Sequence, residues 1–435
     1  MSARRRGHSA GPGDPGRIVE TTIRALGAQG DGIGEDGGRP LYVPLTLPGE
    51  RVRVRLGERR GDGVAAEPVE MLSRSPDRQS PRCGHFGPCG GCSVQHLDAD
   101  AYAAWKRDLI VAALSRAGLG DVPVAPTIAT PPASRRRATL AARRIAGGTV
   151  LGFNARRRHH IVNLDACPVL VPALVEVLPM LREVLTGLLA PGATATVRLA
   201  ALEPGLDILL GLPVAPDLTG RERLADFARA ADLARLSVAL GDGEAEPLAA
   251  RRVATLTFGD VTVAVPPGTF LQASAEGEAA LTGLVVDAVA AAARVADLFC
   301  GIGTFSLPLA RRARVRAVDA DRPALAALAA ATAGDRLAGR LSTEHRNLFR
   351  DPLEGAELAG LDAVVFDPPR AGAAAQASAL AASPVPVVVG VSCNPASFAC
   401  DAATLVAGGY RPETVTPVDQ FLWSAHVELV GVFRR

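Results

Sequence analysis

Residues 295–305 read VADLFCGIGTF, a short apolar run that leads into two closely spaced glycines. This pattern predicts a buried strand that enters a tight loop at the start of a helix. The glycines let the backbone approach an anionic or zwitterionic ligand at that helix start. The spacing is Gly-x-Gly-x-Phe and not the Gly-x-Gly-x-x-Gly of the dinucleotide fingerprint. From this loop alone, S-adenosylmethionine and NAD are therefore comparable candidate ligands.

Strand and helix patterns alternate over residues 266–435, which predicts a doubly wound, mostly parallel α/β sheet. In such sheets, ligands lie beyond the carboxyl ends of the strands. Asp319, Asp367 and Cys393 each fall at the end of an apolar strand segment. Asp319 could accept hydrogen bonds from ribose hydroxyls or cap the following helix, and the residues alone leave both interpretations open.

The chain before this sheet has three different textures. Residues 1–16 are basic and rich in glycine, which is typical of a disordered arm. Residues 17–73 hold short apolar runs separated by turn signals, and Val52 and Val54 alternate with arginines. We expect a small β-barrel of OB type there, whose arginine face favours nucleic acid over an unassigned β module. Residues 74–265 mix short strands and helices and are interpreted as a central α/β domain.

The composition limits the class of protein. Of 435 residues, 48% are hydrophobic and 21% charged, as in globular chains, and the net charge is only +2. No stretch approaches the ~20 apolar residues of a membrane-spanning helix. The basic N-terminal stretch lacks the apolar core of a secretory signal. We therefore expect a cytoplasmic protein without a membrane partner, whose thiols are reduced or bound to metal.

Four of the seven cysteines suggest a metal centre. Cys83, Cys89 and Cys92 form a Cys-x5-Cys-x2-Cys pattern in a loop rich in glycine and proline, and Cys167 follows far downstream. Four thiolates could hold a cubane iron–sulfur cluster or a structural zinc ion. The spacing by itself leaves this choice open.

Three residues near strand ends suggest covalent catalysis. Asp367 opens the segment Asp-Pro-Pro-Arg, whose proline pair stiffens the loop. Cys393 is either a nucleophile or a buried core thiol. Glu428, in the segment His-Val-Glu-Leu-Val, is either a paired structural carboxylate or a general base. Together they predict covalent addition followed by proton removal.

Two basic runs lie in the central region. They are Arg135–Arg137 and Arg156–Arg158, the second followed by His159 and His160. Such runs are usually solvated faces, but next to a nucleic-acid site they would contact phosphates.

The motifs occur in an order that resembles one family. The cysteine pattern, Phe-Leu-Gln at 270–272, DLFCGIGTFSLPLA, DPPR, SCNP and HVELV follow each other as in S-adenosylmethionine-dependent RNA 5-methyluridine methyltransferases. The chain is most similar to the iron–sulfur bacterial branch that methylates 23S ribosomal RNA. The resemblance runs from Ile18 to the end, and the leading β module resembles that branch's RNA-binding TRAM domain.

The resemblance implies a role for each matching residue. Cys393 matches the nucleophile, Glu428 the proton acceptor, and Asp367 the aspartate between the methyl donor and uracil. The four cysteines match the ligands of a 4Fe–4S cluster. The positions that match contacts to S-adenosylmethionine are Gln272, Phe299, Thr304, Asp319, Asn347 and Asp367.

The sequence departs from the family pattern at a few positions. Thr304 stands where asparagine is common, Asp319 where glutamate is usual, and Ser274 where asparagine commonly follows the glutamine element. These departures concern the donor contacts and the choice of target more than the chemistry.

The resemblance implies a monomeric enzyme that methylates C5 of a 23S ribosomal RNA uridine through a Cys–C6 adduct. A first alternative is the same chemistry on a transfer RNA loop. A second is a non-catalytic RNA-binding or assembly factor, against which the intact Cys393, Asp367 and Glu428 argue.

Overall fold

The computed structural model describes residues 15–158, 160–241, 243–333, 337 and 339–435. Most of the predicted N-terminal arm (residues 1–14) and His159 lie outside these ranges. The chain forms two compact units. One extends to Trp105 and includes Trp423–Ala425, and the other comprises Lys106–Leu422 and His426–Arg435.

The first unit is built on a six-stranded sheet. Its strands are β1 (Ile18–Thr22), β2 (Ala25–Leu26), β3 (Gly32–Asp36), β4 (Arg39–Val43), β5 (Arg51–Arg60) and β6 (Gly63–Ser73). The strand order is β1-β5-β6-β4-β3-β2. The Thr21 hydroxyl donates to the Glu35 carbonyl at 3.0 Å and accepts from the Glu35 amide at 2.9 Å. The sheet therefore curls until β1 reaches β3.

Strand β5 alternates as the sequence predicts. Val52 and Val54 are fully buried, whereas the arginines between them are exposed. Arg51 pairs with Glu20, and Arg53 pairs with Glu70 at 2.6 Å. These carboxylates balance part of the arginine face, so the charge available for nucleic acid is smaller than the sequence pattern suggests.

The second unit contains the remaining strands and most of the helices. Helix α1 (Ala99–Arg116) leads into it from the first unit. Its other helices are α2 (Pro172–Glu176), α3 (Leu178–Leu188), α4 (Leu218–Ala230), α5 (Ala275–Ala288), α6 (Ser306–Ala310), α7 (Arg322–Thr332), α8 (Ala374–Ala381) and α9 (Pro395–Ala407). Its strands are β7 (Ile128–Ala129), β8 (Arg137–Ile145), β9 (Gly148–Gly152), β10 (Thr194–Leu202), β11 (Gly205–Leu212), β12 (Arg235–Leu240), β13 (Glu246–Ala250), β14 (Thr255–Phe258), β15 (Val261–Ala264), β16 (Arg294–Leu298), β17 (Arg314–Asp319), β18 (Leu341–His345), β19 (Ala363–Phe366), β20 (Val387–Ser392), β21 (Arg411–Asp419) and β22 (Glu428–Arg434).

The central part of this unit is a mixed sheet with the order β13-β12-β11-β10-β8-β9. Apolar residues on one face of β8, β10 and β11 pack with helices α2, α3 and α4 into one core. The hairpin of β14 and β15 packs instead into the core of the C-terminal sheet.

The C-terminal sheet has eight strands in the order β18-β17-β16-β19-β20-β22-β21-β7. Strands β16 to β20 pair in parallel, and β22 joins them antiparallel. The predicted doubly wound, mostly parallel sheet is confirmed. Strand order reverses at β16, which lies between β17 and β19, so the loop after β16 is where such sheets bind ligands.

One part of the predicted central domain contributes to the C-terminal sheet. Strand β7 pairs with β21. Ile110 and Leu114 of α1 pack in the same core as Phe366 and Phe433. The described residues contain no helix that is long and apolar enough to cross a membrane.

The glycine loop is constrained at Gly303. Its φ is +96°, and an added Cβ would lie 2.6 Å from the Cδ1 of Leu328, a fully buried residue. At Gly301 the φ is +54°, but an added Cβ would meet nothing within 4 Å. The two glycines therefore serve different purposes, close helix packing at Gly303 and open space at Gly301.

We expect Gly303→Ala to lower the free energy of unfolding by about 1 to 3 kcal/mol, because the methyl group overpacks the core against Leu328. Gly301→Ala is the matched control and should lose only about 1 kcal/mol, from its positive φ. Urea titration followed by circular dichroism measures both. Equal losses would contradict the packing explanation.

Candidate active site

The three predicted catalytic residues lie at one edge of the C-terminal sheet. Asp367 follows β19, Cys393 follows β20, and Glu428 is the first residue of β22. In the sheet register, Ser392 pairs with Leu429 next to Glu428. Parallel pairing of β19 with β20 therefore brings together side chains that are far apart in sequence.

Two glutamines join the two carboxylates. The Gln272 side-chain amide donates to Asp367 Oδ2 at 3.3 Å. The Gln420 amide donates to Gln272 Oε1 at 2.6 Å, and the same side chain is hydrogen-bonded to Glu428. Gln420 also accepts from the Ala273 amide at 2.7 Å. The result is a buried series of hydrogen-bonded side chains from Asp367 to Glu428.

Burial shifts both carboxyl groups toward neutrality. It raises the pKa of Asp367 to about 7, although the hydrogen bond from Gln272 opposes the shift. Burial, and then repulsion from Asp367, raise the pKa of Glu428 to about 8. Gln420, Arg137 and Lys106 oppose this second shift. Each group can therefore hold or release a proton near neutral pH, as an acid–base catalyst must.

Cys393 lies between β20 and helix α9, whose N-cap residue is Asn394. The Asn394 side chain donates to the Arg370 carbonyl at 2.9 Å, which ties this loop to the Asp-Pro-Pro-Arg segment. Burial and the negative charges of Glu428 and Asp367 raise the pKa of the Cys393 thiol to about 11, against the opposing charge of Arg370. The thiol is only partly buried, so a substrate can reach it.

The three arginines of the first basic run, residues 135–137, have different surroundings in the structure. Arg136 is buried and pairs with Glu278 at 2.5 Å, so it is a structural residue rather than a phosphate contact. The Arg135 guanidinium lies 5.6 Å from the Phe421 ring centroid. Burial lowers the pKa of Arg137 to about 10, with Glu428 and Cys393 acting in the opposite direction. Arg137 Nε is buried without a hydrogen-bond partner in the described structure, as expected of a group that awaits a ligand.

The glycine loop fits a bound methyl donor. Asp297, inside β16, is completely buried, and Ser306 donates to its Oδ2. Its Oδ1 has no hydrogen-bond partner among the described residues, and burial raises the pKa of Asp297 to about 7. An unpaired buried carboxylate oxygen and the open space at Gly301 both suit a ligand with a positively charged amino group.

The structure distinguishes the two interpretations of Asp319. The residue that caps helix α7 is Asp321, which accepts from the Ala324 amide at 3.0 Å. Asp319 ends β17 and accepts from the Gly301 and Asp321 amides, both at 2.8 Å. Asp319 therefore fixes the glycine loop and stands at the strand end where the cofactor is expected.

Three further predicted donor contacts lie near this loop. Phe299 has a φ of +62° and its ring lies 5.4 Å from that of Phe349. Thr304 follows Gly303 directly. Asn347 accepts a hydrogen bond from the Phe349 amide at 3.1 Å, in the turn after β18. Phe349 is 48% exposed and did not stand out in the sequence.

The predicted metal ligands are divided between the two units. Cys83, Cys89 and Cys92 occupy a loop of the first unit, where the Gly91 amide donates to Cys89 Sγ at 3.4 Å. Cys167 belongs to the second unit. Thiolate donors and an N–H···S bond fit an iron–sulfur cluster, but no group of three or more His, Cys, Asp or Glu is gathered as a metal-ligand set in the described ranges.

Lys106, the only lysine of the chain, holds the backbone beside Glu428. It is fully buried, and its Nζ donates to Asp419 Oδ1 at 2.8 Å, to the Phe421 carbonyl at 3.4 Å and to the His426 carbonyl. Asp419 directly precedes Gln420, and His426 lies two residues before Glu428. Lys106 therefore joins the end of β21 to the start of β22.

Sequence reasoning missed several residues of this site. Gln420, Asp297 and Lys106 were not among the predicted site residues, and Arg137 was seen only as part of a basic run. A single lysine inside an otherwise amphipathic helix was a usable signal, as was an aspartate inside a buried strand. Gln420 has no local signal, since its role depends on pairing with Gln272.

Comparison with known proteins gives consistent results. The model of the tRNA (uracil-5-)-methyltransferase family matches residues 260–435. A Caulobacter vibrioides protein named as an uncharacterized RNA methyltransferase is 44% identical over 429 residues, with 96% of this chain and 100% of that protein covered. The 23S rRNA (uracil(1939)-C(5))-methyltransferase RlmD of Chromohalobacter salexigens is 36% identical, with 95% and 89% covered.

A solved structure shares the whole fold. It is the Pyrococcus abyssi tRNA (uracil-54, C5)-methyltransferase in complex with S-adenosyl-L-homocysteine. The TM-score is 0.75 at 24% identity, with 95% of this chain and 99% of that chain covered.

The fold and these relatives together define an α/β methyltransferase that acts on RNA. The identity to curated relatives extends over nearly the whole chain. The chain belongs to the S-adenosylmethionine-dependent RNA (uracil-5-)-methyltransferase family. The predicted enzyme class is thereby confirmed.

We expect Lys106→Met to lower the free energy of unfolding by about 3 to 5 kcal/mol, because it leaves the Asp419 carboxylate buried without its cation. The double variant Lys106→Met/Asp419→Asn should lose clearly less, since no charge is left buried. Urea titration of the three proteins measures the difference. Equal losses in the single and double variants would show that the ion pair is not the important contact.

Proposed function

We propose that this enzyme methylates C5 of a uridine in 23S ribosomal RNA through a covalent adduct between Cys393 and C6 of the base. The observation that carries the proposal is the grouping of Cys393, Asp367 and Glu428 at one sheet edge, with Gln272 and Gln420 between the carboxylates. The similarity to the Chromohalobacter enzyme, named for uracil 1939 of 23S rRNA, supports the ribosomal substrate.

The residues around the glycine loop would hold the methyl donor. S-adenosylmethionine, when bound, supplies an electrophilic methyl group. Asp319 would accept hydrogen bonds from the ribose hydroxyls, and Asp297 would offer its unpaired Oδ1 to an amino group. The remaining expected contacts are Gln272, Phe299, Thr304 and Asn347.

Cys393 solves the problem that uracil C5 is a weak nucleophile. Addition of its thiolate to C6 moves the C5–C6 electron pair into an enolate, whose charge makes C5 able to attack a methyl group. The thiol must first lose its proton, and its pKa of about 11 reflects burial first and then the charges of Glu428 and Asp367. Protonation of Asp367, whose pKa is about 7, removes one of these charges.

Asp367 and Arg137 would orient the base. A protonated Asp367 can donate a hydrogen bond to a uracil carbonyl, while its ionised form can accept one from N3–H. The unpaired Nε of Arg137 lies near Cys393 and Glu428 and can donate to a second oxygen. A base in this position must leave its stack, so the target is flipped out or lies in a single-stranded loop.

Glu428 is the proton acceptor of the last step. After methyl transfer, C5 still carries its original hydrogen. Removal of that proton re-forms the C5–C6 double bond and expels the Cys393 thiolate. Glu428 must be ionised to accept it, so the rate of turnover should rise with pH up to about 8, the pKa of this group.

We expect Glu428→Gln to stop turnover after methyl transfer, because the amide cannot accept the C5 proton. Radiolabelled methyl should remain on an RNA that is covalently joined to the protein, visible as a slow band in denaturing electrophoresis. Cys393→Ala is the control and should form neither adduct nor product. Methylation of RNA by Cys393→Ala would show that the nucleophile is wrong.

The substrate is tested by mapping 5-methyluridine in ribosomal and transfer RNA from a strain that lacks this gene. We expect one ribosomal uridine to lose its methyl group. Position 1939 is the first position to examine, because the Chromohalobacter salexigens enzyme is named for it. Re-expression of the wild-type chain should restore the modification. Loss confined to a transfer RNA position would overturn the ribosomal assignment in favour of the alternative substrate.

The proposal includes two accessory modules. Residues 17–73 would act as a TRAM-type RNA-binding module, supported by the curled six-stranded sheet. Cys83, Cys89, Cys92 and Cys167 would hold a 4Fe–4S cluster, supported by the Cys-x5-Cys-x2-Cys spacing and the amide-to-sulfur bond in the loop. Methyl transfer uses no electrons, so the cluster would be structural or would position RNA.

Protein purified without oxygen should contain about four iron atoms and four acid-labile sulfides per chain. Cys92→Ser should lose both, whereas Cys400→Ser, a change at an exposed thiol outside the proposed ligands, should retain them. Zinc without sulfide in the wild-type protein would contradict the iron–sulfur assignment.

A further inference from the structure

One face of the central sheet is open in the described part of the chain. Leu140, Ala142, Val197 and Leu199 point into the core shared with helices α2, α3 and α4. The alternate residues of β8 and β10 lie on the opposite face, since successive side chains of a strand point to opposite sides. The exposed residues of that face include Thr139, Arg143, Thr194, Thr196 and Arg198.

This face carries two adjoining cavities, which together form a groove that extends to Arg137. A cavity of about 760 Å³ is lined by Thr194, Thr196 and Arg198. A second cavity, of about 340 Å³, shares Thr196 and Arg198 with the first and extends to Arg137 and Phe270. Arg137 lies close enough to Cys393 and Glu428 to be affected by their charges. The groove therefore ends at an arginine whose charge acts on Cys393 and Glu428.

The charges of the groove suit a polyanion. Arg137 and Arg198 line it, and Arg143 lies two residues beyond Ala141, which pairs with Thr196. The Arg198 side chain makes no hydrogen bond or ion pair with any described residue. Asp207 is the only carboxylate lining either cavity in the described structure, and Arg235 binds both of its oxygens, at 2.8 and 2.7 Å.

The groove also has the features that bases require. Phe270 is 62% exposed, and the Arg137 guanidinium lies 4.6 Å from its ring centroid. Exposed aromatic rings and arginine planes are the surfaces on which unpaired bases stack. Small residues form most of the floor of the larger cavity.

We propose that this face binds the single-stranded RNA that adjoins the target uridine, with Arg198 and Arg143 on its phosphates. Arg143 is six residues after Arg137 on strand β8, a distance of roughly 20 Å. That span is longer than one nucleotide, so the groove contacts neighbours of the target base as well. The inference rests on the proposed RNA substrate but does not depend on which RNA it is.

The test compares the double variant Arg143→Gln/Arg198→Gln with wild type. The control is Arg221→Gln, which removes one positive charge from exposed helix α4 on the covered side of the sheet. The probe is a fluorescein-labelled oligouridylate of about 12 nucleotides. Fluorescence anisotropy gives its dissociation constant between about 50 and 200 mM KCl.

We expect the double variant to bind the probe about tenfold more weakly than wild type. The slope of log K against log salt should fall by about 1.4 in magnitude, or about 0.7 per lost phosphate contact. Arg221→Gln should match wild type, and unchanged urea midpoints would show that all variants fold. Equal affinity and slope in the double variant and wild type would overturn the proposal, as would failure of wild type to bind the probe.

Activity separates this inference from the proposed function. On unmodified 23S rRNA, the double variant should show a KM raised about tenfold with kcat within about twofold of wild type. If wild type methylated transfer RNA instead, the ribosomal assignment would fail while the probe binding would still support the groove. A lowered kcat with unchanged KM would contradict a role in binding the flanking strand.

Discussion

The buried ion pair between Lys106 and Asp419 is the contact on which the reactive edge of the sheet depends. Both side chains are fully buried, and burial lowers the pKa of the lysine while the charge of Asp419 raises it. A pair without water is strong only when its remaining hydrogen bonds are satisfied. The Phe421 and His426 carbonyls accept these hydrogen bonds from Lys106. They fix the backbone near the two ends of the loop from Gln420 to Val427. The position of Glu428 relative to Gln420 follows from this arrangement.

Once that backbone is fixed, burial of the carboxyl groups away from water determines the acid–base properties of the site. Asp367 and Glu428 share one buried region, and two charged carboxylates in such a region repel each other. Gln272 and Gln420 connect them without adding charge. Packing and the neutral amides therefore set the proton affinity of the two carboxyl groups. Arg137 is a positively charged group near Glu428. The same environment that makes Glu428 a suitable base makes Cys393 a poor acid.

Much of this organisation could be predicted from the sequence, because period and spacing encode it. The apolar run before Gly301 predicted β16, and the alternation at Val52 and Val54 predicted the two faces of β5. The rest depends on tertiary contacts that leave no local trace. Nothing near Gln420 indicates its partner Gln272, 148 residues earlier. In the sequence Arg136 is equivalent to its neighbours, but in the structure it is buried and forms an ion pair with Glu278. The pairing of β7 with β21 also could not be read from two residues of sequence.

The raised pKa of Cys393 also protects the resting enzyme. Peroxide and electrophiles react with thiolates rather than thiols, and a group with a pKa of about 11 is ionised in only about one molecule in ten thousand at pH 7. The side chain is partly open to solvent, so shielding by burial alone would not suffice. Burial of the sulfur, together with the nearby carboxyl groups, therefore keeps the thiol largely protonated until a substrate occupies the site. An enzyme with an accessible nucleophile can in this way tolerate oxidants that inactivate cysteine enzymes with a permanently ionised thiol.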